Sequence, residues 1–265
     1  MADFSAKDVQ ALRQAMGVGM MDAKRALAEN GGDIDAAKRW MRERGLAKAE
    51  ERADRASSQG AVAVAREANV AALVALRCET DFVAKSPDFV ALADELAYLV
   101  VAKGEEAALA ECQDAVDNLR LTLKENISVG EVYRFEAPEG SVIDAYVHVQ
   151  NGRGVNGILV ELAGADEAKA HEVALNVAFH KPAWLRREDV PPERVAEERQ
   201  TLENLTRNEG KPEAAVPKIV EGRLGGFFRD HTLVEQPYVR DPKVSIAQFL
   251  GDATVTRYAQ VVVGT

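Results

Sequence analysis

The feature that most constrains this chain is the run Leu46–Gly60, which is rich in Ala, Lys, Glu and Arg and carries no clear apolar stripe. A segment with no face to bury cannot serve as a core helix. It reads as a solvated helical linker that sets a small N-terminal unit, residues 1–56 with the linker, apart from a larger body. The chain has 265 residues, enough for that body to enclose a core of its own.

The N-terminal unit reads as three short helices. Ser5 can cap the first in a capping box with Asp8, and Phe4 and Val9 stand at the two positions of a hydrophobic staple. Val9, Leu12 and Met16 repeat at helical spacing before Gly17-Val18-Gly19 breaks the pattern. A second helix is expected from Met20 to about Ala28, followed by the turn Asn30-Gly31-Gly32. Asp33 caps a third, whose buried stripe is Ile34, Ala37, Trp40 and Met41 and which Gly45 should close.

In the body, Ala61–Ala65 and Val70–Arg77 read as paired strands around Arg66-Glu67-Ala68-Asn69. Ser86-Pro87 opens a helix to about Lys103, and another is expected from Glu111 to Lys124. Residues 131–163 look like a meander of three strands, Val132–Glu136, Val142–Val149 and Gly157–Leu162. A helix from Asp166 to about His180 follows. The order strand, strand, acidic turn, helix thus occurs twice, which suggests a weak duplication dividing the body into residues 57–140 and 141–265. Residues 188–222 are charged and helical on both sides of Asn208–Pro212, and Val195, Leu202 and Leu205 can face Val216, Ile219 and Val220 in a helical hairpin. A short helix near Pro242–Leu250 and a strand Thr254–Val263 complete an α+β fold.

Composition and motifs exclude several function classes. No apolar run approaches the roughly 20 residues that span a bilayer, so no membrane role is expected. Cys78 and Cys112 make neither a disulfide framework nor a spaced metal set, which suits a cytoplasmic protein. The net charge of −10 arises beyond the linker, because the charges of residues 1–56 nearly cancel. Such a body repels phosphate backbones, and direct nucleic-acid binding is disfavoured. The spacing Gly152-x-Gly154-x-x-Gly157 matches a dinucleotide fingerprint, yet the following Ile158–Leu162 continues as a strand where that motif needs a helix; a hairpin turn is expected. No P-loop, metal-spaced histidine pair or nucleophile elbow is present. The residues therefore point to no cofactor, no metal and no enzyme.

Three places leave alternatives open. Met20 with Ala23 and Leu27 would point into the bundle, whereas Met21 with Lys24 lies on a neighbouring face, as core or as a docking patch. Thr80 can cap a turn carrying Asp81, Phe82 and Val83, and Phe82 is either tucked under the next helix or offered to a partner. His148 shares a strand face with Tyr146 and is either a satisfied strand residue or a contact.

Three motifs carry a resemblance over the whole chain: Gly19-Met20-Met21-Asp22-Ala23-Lys24-Arg25-Ala26-Leu27, Cys78-Glu79-Thr80-Asp81-Phe82-Val83-Ala84-Lys85 and Lys218-Ile219-Val220-Glu221-Gly222-Arg223-Leu224. In that order they resemble the bacterial elongation factor Ts family, the guanine-nucleotide exchange factors of elongation factor Tu. The resemblance implies a ubiquitin-associated-like three-helix bundle, a core of two similar α+β subdomains and an inserted helical hairpin. It implies that the Asp81-Phe82 turn, with Thr80 and Val83, enters the GTPase domain of elongation factor Tu near the magnesium and phosphate end of the nucleotide. Met20, Met21 and Lys24 would pack on another helix of that domain, and His148 on the partner's β-barrel end. A homodimer or a 2:2 complex is compatible with it. Where the family often has Thr, Ala and Cys, this chain has Met16, Val18 and Ala23, apolar changes that should leave the docking loop working. The competing expectation is a chaperone-like adaptor that docks through the bundle alone and does not need Phe82.

Overall fold

The computed structural model describes residues 4–264, the side chains of 46–50 excepted. Three helices come first, α1 (Ala6–Met16), α2 (Met20–Glu29) and α3 (Ile34–Glu50). Ser5 and Asp8 form the expected capping box on α1, and Asp33 accepts from the backbone N–H groups of Asp35 and Ala36 at the start of α3. Leu12, Ala23, Ala26, Leu27 and Ala37 are fully buried in the bundle.

Gly45 does not close α3, contrary to the sequence reading, because the helix runs on to Glu50. The glycine is there for approach: a Cβ on it would stand 2.2 Å from Leu121 Cδ1. Leu121 belongs to α6 (Glu105–Leu123) and packs against the bundle core. The linker beyond α3 runs along the body. Arg52 donates to the carbonyl of Arg120, and the Asn126 amide donates to the carbonyls of Ala53 and Arg55.

The body contains two three-stranded antiparallel sheets of like connectivity. In the first, β1 (Gln59–Glu67), β2 (Val70–Cys78) and β3 (Ser128–Glu136) stand in the order β1-β2-β3, with the one-turn α4 (Asp81–Ala84), α5 (Pro87–Lys103) and α6 between β2 and β3. In the second, β4 (Ser141–Gln150), β5 (Arg153–Ala163) and β8 (Thr254–Val262) stand in the order β4-β5-β8, with α7 (Glu167–His180) after β5. The expected meander is therefore wrong in its pairing. β3 closes the first sheet on β2, and only β4 and β5 pair with each other. α6 also starts six residues before the expected Glu111, since Gly104 at φ 85° breaks the chain there and Glu105 and Glu106 favour a helix N-terminus.

The sheets lie back to back between layers of helix. Ala72, Val74 and Leu76 of β2 face α5 and α6, whereas Ala71, Leu73 and Ala75 face the other sheet. In β5, Ile158, Val160 and Leu162 face α7, and Leu159 faces β2. Burial on both faces explains why these strands read as unbroken apolar runs. The fingerprint glycines find their use here. Asn151-Gly152 is a two-residue turn with positive φ at both positions, 54° and 79°, as a hairpin of the primed type requires. A Cβ on Gly154 would stand 2.0 Å from the Val62 carbonyl oxygen, and one on Gly157 2.4 Å from Leu73 Cδ1.

The inserted hairpin consists of α8 (Pro192–Asn208) and α9 (Val216–His231), nine residues longer at its end than expected. Val195 and Leu202 turn inward but pack against the cluster of Val190, Leu224, Phe227 and Phe228, whereas Leu205 is exposed and Thr206 takes the inner position, accepting from Arg223. The extra turns of α9 bring Leu224, Phe227 and Phe228 onto Val190 and Trp184 at the hairpin base. A small hairpin, β6 (Pro237–Tyr238) with β7 (Asp241–Ser245), precedes α10 (Ile246–Leu250).

Candidate functional site

Phe82 is 83% exposed, the most exposed large hydrophobic side chain among the described residues. It sits in α4, a helix of four residues that is too short to hold itself by propagation. Thr80 caps it, its hydroxyl accepting from the Val83 N–H. Val83 is half-buried and Ala84 buried against the α5 core, so the turn is anchored below and Phe82 stands above it. Of the two alternatives open in the sequence, the tucked one is wrong for the free chain.

Asp81 is paired within the turn to Lys85, whose ammonium donates to the carboxylate and holds its pKa below the ordinary value. Cys78, at the end of β2, is buried and donates to the Thr80 carbonyl. Burial pushes its thiol up to about 12, so it is a packing residue and not a nucleophile.

The residue that fixes this turn lies far away in the chain. Glu125 Oε2 accepts from the backbone N–H groups of Glu79 and Thr80, both at 3.0 Å, and Oε1 accepts from the Thr80 hydroxyl. The Glu79 carboxylate in turn accepts from the Asn126 N–H at 2.7 Å. Next to Glu125, Lys124 closes α6 in the left-handed region and reaches Asp22 of α2 at 3.2 Å. Asp22 lies in the same helical turn as Met20 and Met21, which are 57% and 69% exposed. Lys24 is exposed as well.

Met20 thereby departs from its expected interior place. As the first residue of α2 it projects past the helix start, while Ala23 and Leu27 fill the core. The structure thus brings the α2 end and the Asp81-Phe82 turn onto one joint between α6 and β3. His148 belongs to neither. It is exposed on β4, next to Val149 at a register shift, and lines a groove with Tyr146 and Phe179.

Glu125 and Phe179 were missed in the sequence. Phe179 leaves a signal, an aromatic residue off the Ala170, Val173, Ala174, Val177 stripe of its helix. Glu125 leaves none, because its partners are 45 and 46 residues away. Among the described residues, no group of three or more His, Cys, Asp or Glu side chains could hold a metal ion, and no helix is long and apolar enough to cross a membrane.

Comparison with known proteins agrees with this architecture. A family model described as elongation factor TS matches residues 79–265, well over half of the chain. The elongation factor Ts of Leifsonia xyli subsp. xyli is 41% identical over 276 residues, covering 100% of both chains. That of Mycobacterium ulcerans is 41% identical over 277 residues, covering 100% of this chain and 99% of the relative. That of Deinococcus deserti is 38% identical over 272 residues, covering 97% and 99%. With a family model over most of its length and full-length relatives at this identity, the chain belongs to the elongation factor Ts family of translation factors.

Proposed function

We propose that this protein is a guanine-nucleotide exchange factor that binds elongation factor Tu in the cytoplasm and promotes release of GDP during protein synthesis. The observation that carries the reading is an aromatic side chain standing free on a turn held rigidly from three points. Phe82 contributes little to its own fold, and a large apolar group kept in water on a fixed support is suited to entering a pocket of another protein.

Exchange needs no catalytic acid or base, because no covalent bond changes. It needs a coupling free energy: a protein that binds nucleotide-free partner more tightly than nucleotide-bound partner weakens nucleotide binding by the same factor. In this reading Phe82 wedges apart elements that hold the nucleotide, and Asp81 brings negative charge toward the phosphate and magnesium end. Met20, Met21, Lys24 and His148 supply area that holds the complex while nucleotide leaves.

Release of fluorescent GDP from elongation factor Tu, followed by stopped flow with and without this protein, tests the proposal. Acceleration that saturates with concentration is expected. A complex that forms with no acceleration would refute exchange and favour the adaptor reading, in which the isolated bundle carries binding.

A further inference from the structure

We infer that Glu125 is the positioning residue for Phe82, acting through the backbone of Glu79 and Thr80, an inference that rests on the exchange reading above. The one-turn α4 is entered by two N–H groups, those of Glu79 and Thr80, that no helix or strand satisfies. Both are taken by one carboxylate oxygen of Glu125, and the other oxygen takes the Thr80 hydroxyl. Hydrogen bonds to a charged acceptor are the stronger kind. Three of them converging from a separate segment define the entry angle of the turn, and so the direction in which Phe82 projects.

The clamp is braced from behind. The Asn126 N–H donates to the Glu79 carboxylate, the Asn126 amide holds the carbonyls of Ala53 and Arg55, and Arg55 lies 3.5 Å from Glu79. With Lys124 reaching Asp22, consecutive residues 124, 125 and 126 tie the α2 end, the Phe82 turn and the linker to one place. Two surfaces that must meet one partner together thereby keep a fixed spacing, which lowers the ordering cost of binding. The core beneath does not depend on the clamp, since Cys78 and Ala84 on either side of the turn are fully buried.

The test is a double-mutant cycle read by GDP release at saturating protein. Glu125→Ala is expected to slow release on the order of tenfold, the scale of one lost charged hydrogen bond. Glu125→Gln should restore most of the rate, because its carbonyl oxygen can still accept both N–H groups while its amide donates to the Thr80 hydroxyl. On a Phe82→Ala background, Glu125→Ala should change the rate by less than about twofold, since effects that share one route are not additive.

Independent, multiplicative losses would overturn the inference, as would a Glu125→Ala protein with the parental rate beside a slow Phe82→Ala protein. If the parent itself fails to accelerate release, the exchange reading falls instead. Should Glu125→Ala lose its cooperative melting transition, Thr80→Ala replaces it in the same cycle. It deletes one arm of the clamp and the α4 cap, and a loss that persists undiminished without Phe82 would again overturn the inference.

Discussion

Leu73 Cδ1 lies 2.4 Å from where a Cβ on Gly157 would stand, and Val62 Cγ1 is equally close. A side chain at this position of β5 would therefore force Leu73 or Val62 to shift between the two sheets. An alanine elsewhere in a strand would gain roughly 0.5–1 kcal/mol over glycine by limiting the unfolded chain. Here overpacking of about 1–3 kcal/mol opposes that gain, so Gly157→Ala is expected to lower the urea midpoint. The loss should shrink when Leu73→Ala is already present, and an unchanged loss would mean that the strain is relieved elsewhere.

The same glycines show how far the fold was legible. Period and punctuation were enough for the bundle, the α5 boundaries at Pro87 and Gly104, and the Asn151-Gly152 turn, because each depends on residues within one or two turns of chain. The pairing of β3 was not legible. Val132–Glu136 stands next to β4 in sequence, and what sends it to β2 is the burial of Phe135 between the sheets. Gly45 looked like a helix stop for a similar reason, since its real neighbour, Leu121, is remote in the chain. At the site, Phe82 was visible as a residue and its exposure was not, and Glu125 is a clamp only once the α6–β3 joint has formed.

Acid is expected to open the bundle before the core. Asp8 and Asp33 both have carboxyl pKa values held below the ordinary value, the first chiefly by the Ser5 hydroxyl and the second by the Ala36 N–H. For a carboxylate depressed by folding, the stabilisation is present above the unfolded value near 3.9 and is lost as pH falls through the folded one. These two groups close two helix starts in a small bundle. Trp40 reports on the bundle and Trp184 on the base of the hairpin. In a titration from about pH 5 to pH 2, Trp40 emission should change first, and Asp33→Asn, which keeps a capping acceptor, should bring the two transitions closer. Coincident transitions in the parent would contradict the expectation.

The outer part of the α8–α9 hairpin should be removable without unfolding the rest. Its polar bonds stay within itself: Arg223 with Glu209 and Thr206, Arg199 with Glu221, and Arg207 with Glu203. The base is different, because Leu224, Phe227 and Phe228 cover Val190 and Trp184. A Gly/Ser link in place of residues 197–221 is therefore expected to leave a cooperative thermal transition and at least part of the exchange activity. Extending the cut through Phe228 should abolish that transition. A folded but inert shorter variant would show that the hairpin touches the partner.

Two phenylalanines seven residues apart give the sharpest contrast between support and function. Phe89 is fully buried in the core beneath the first sheet, whereas Phe82 is 83% exposed on its one-turn helix. Truncating Phe89 to alanine removes buried area and leaves a cavity, and should cost about 3–5 kcal/mol in denaturant unfolding. Phe82→Ala removes a side chain that stays in water in the free protein, so its unfolding free energy in urea should change by no more than about 0.5 kcal/mol. Release of GDP from elongation factor Tu should show the reverse order once rates are expressed per folded molecule, with Phe82→Ala slow and Phe89→Ala close to the parent. If Phe82→Ala instead loses stability on the scale of Phe89→Ala while release per folded molecule is unchanged, the aromatic ring is a structural residue. The wedge would then have to be sought in Asp81 or in the Met20–Lys24 turn.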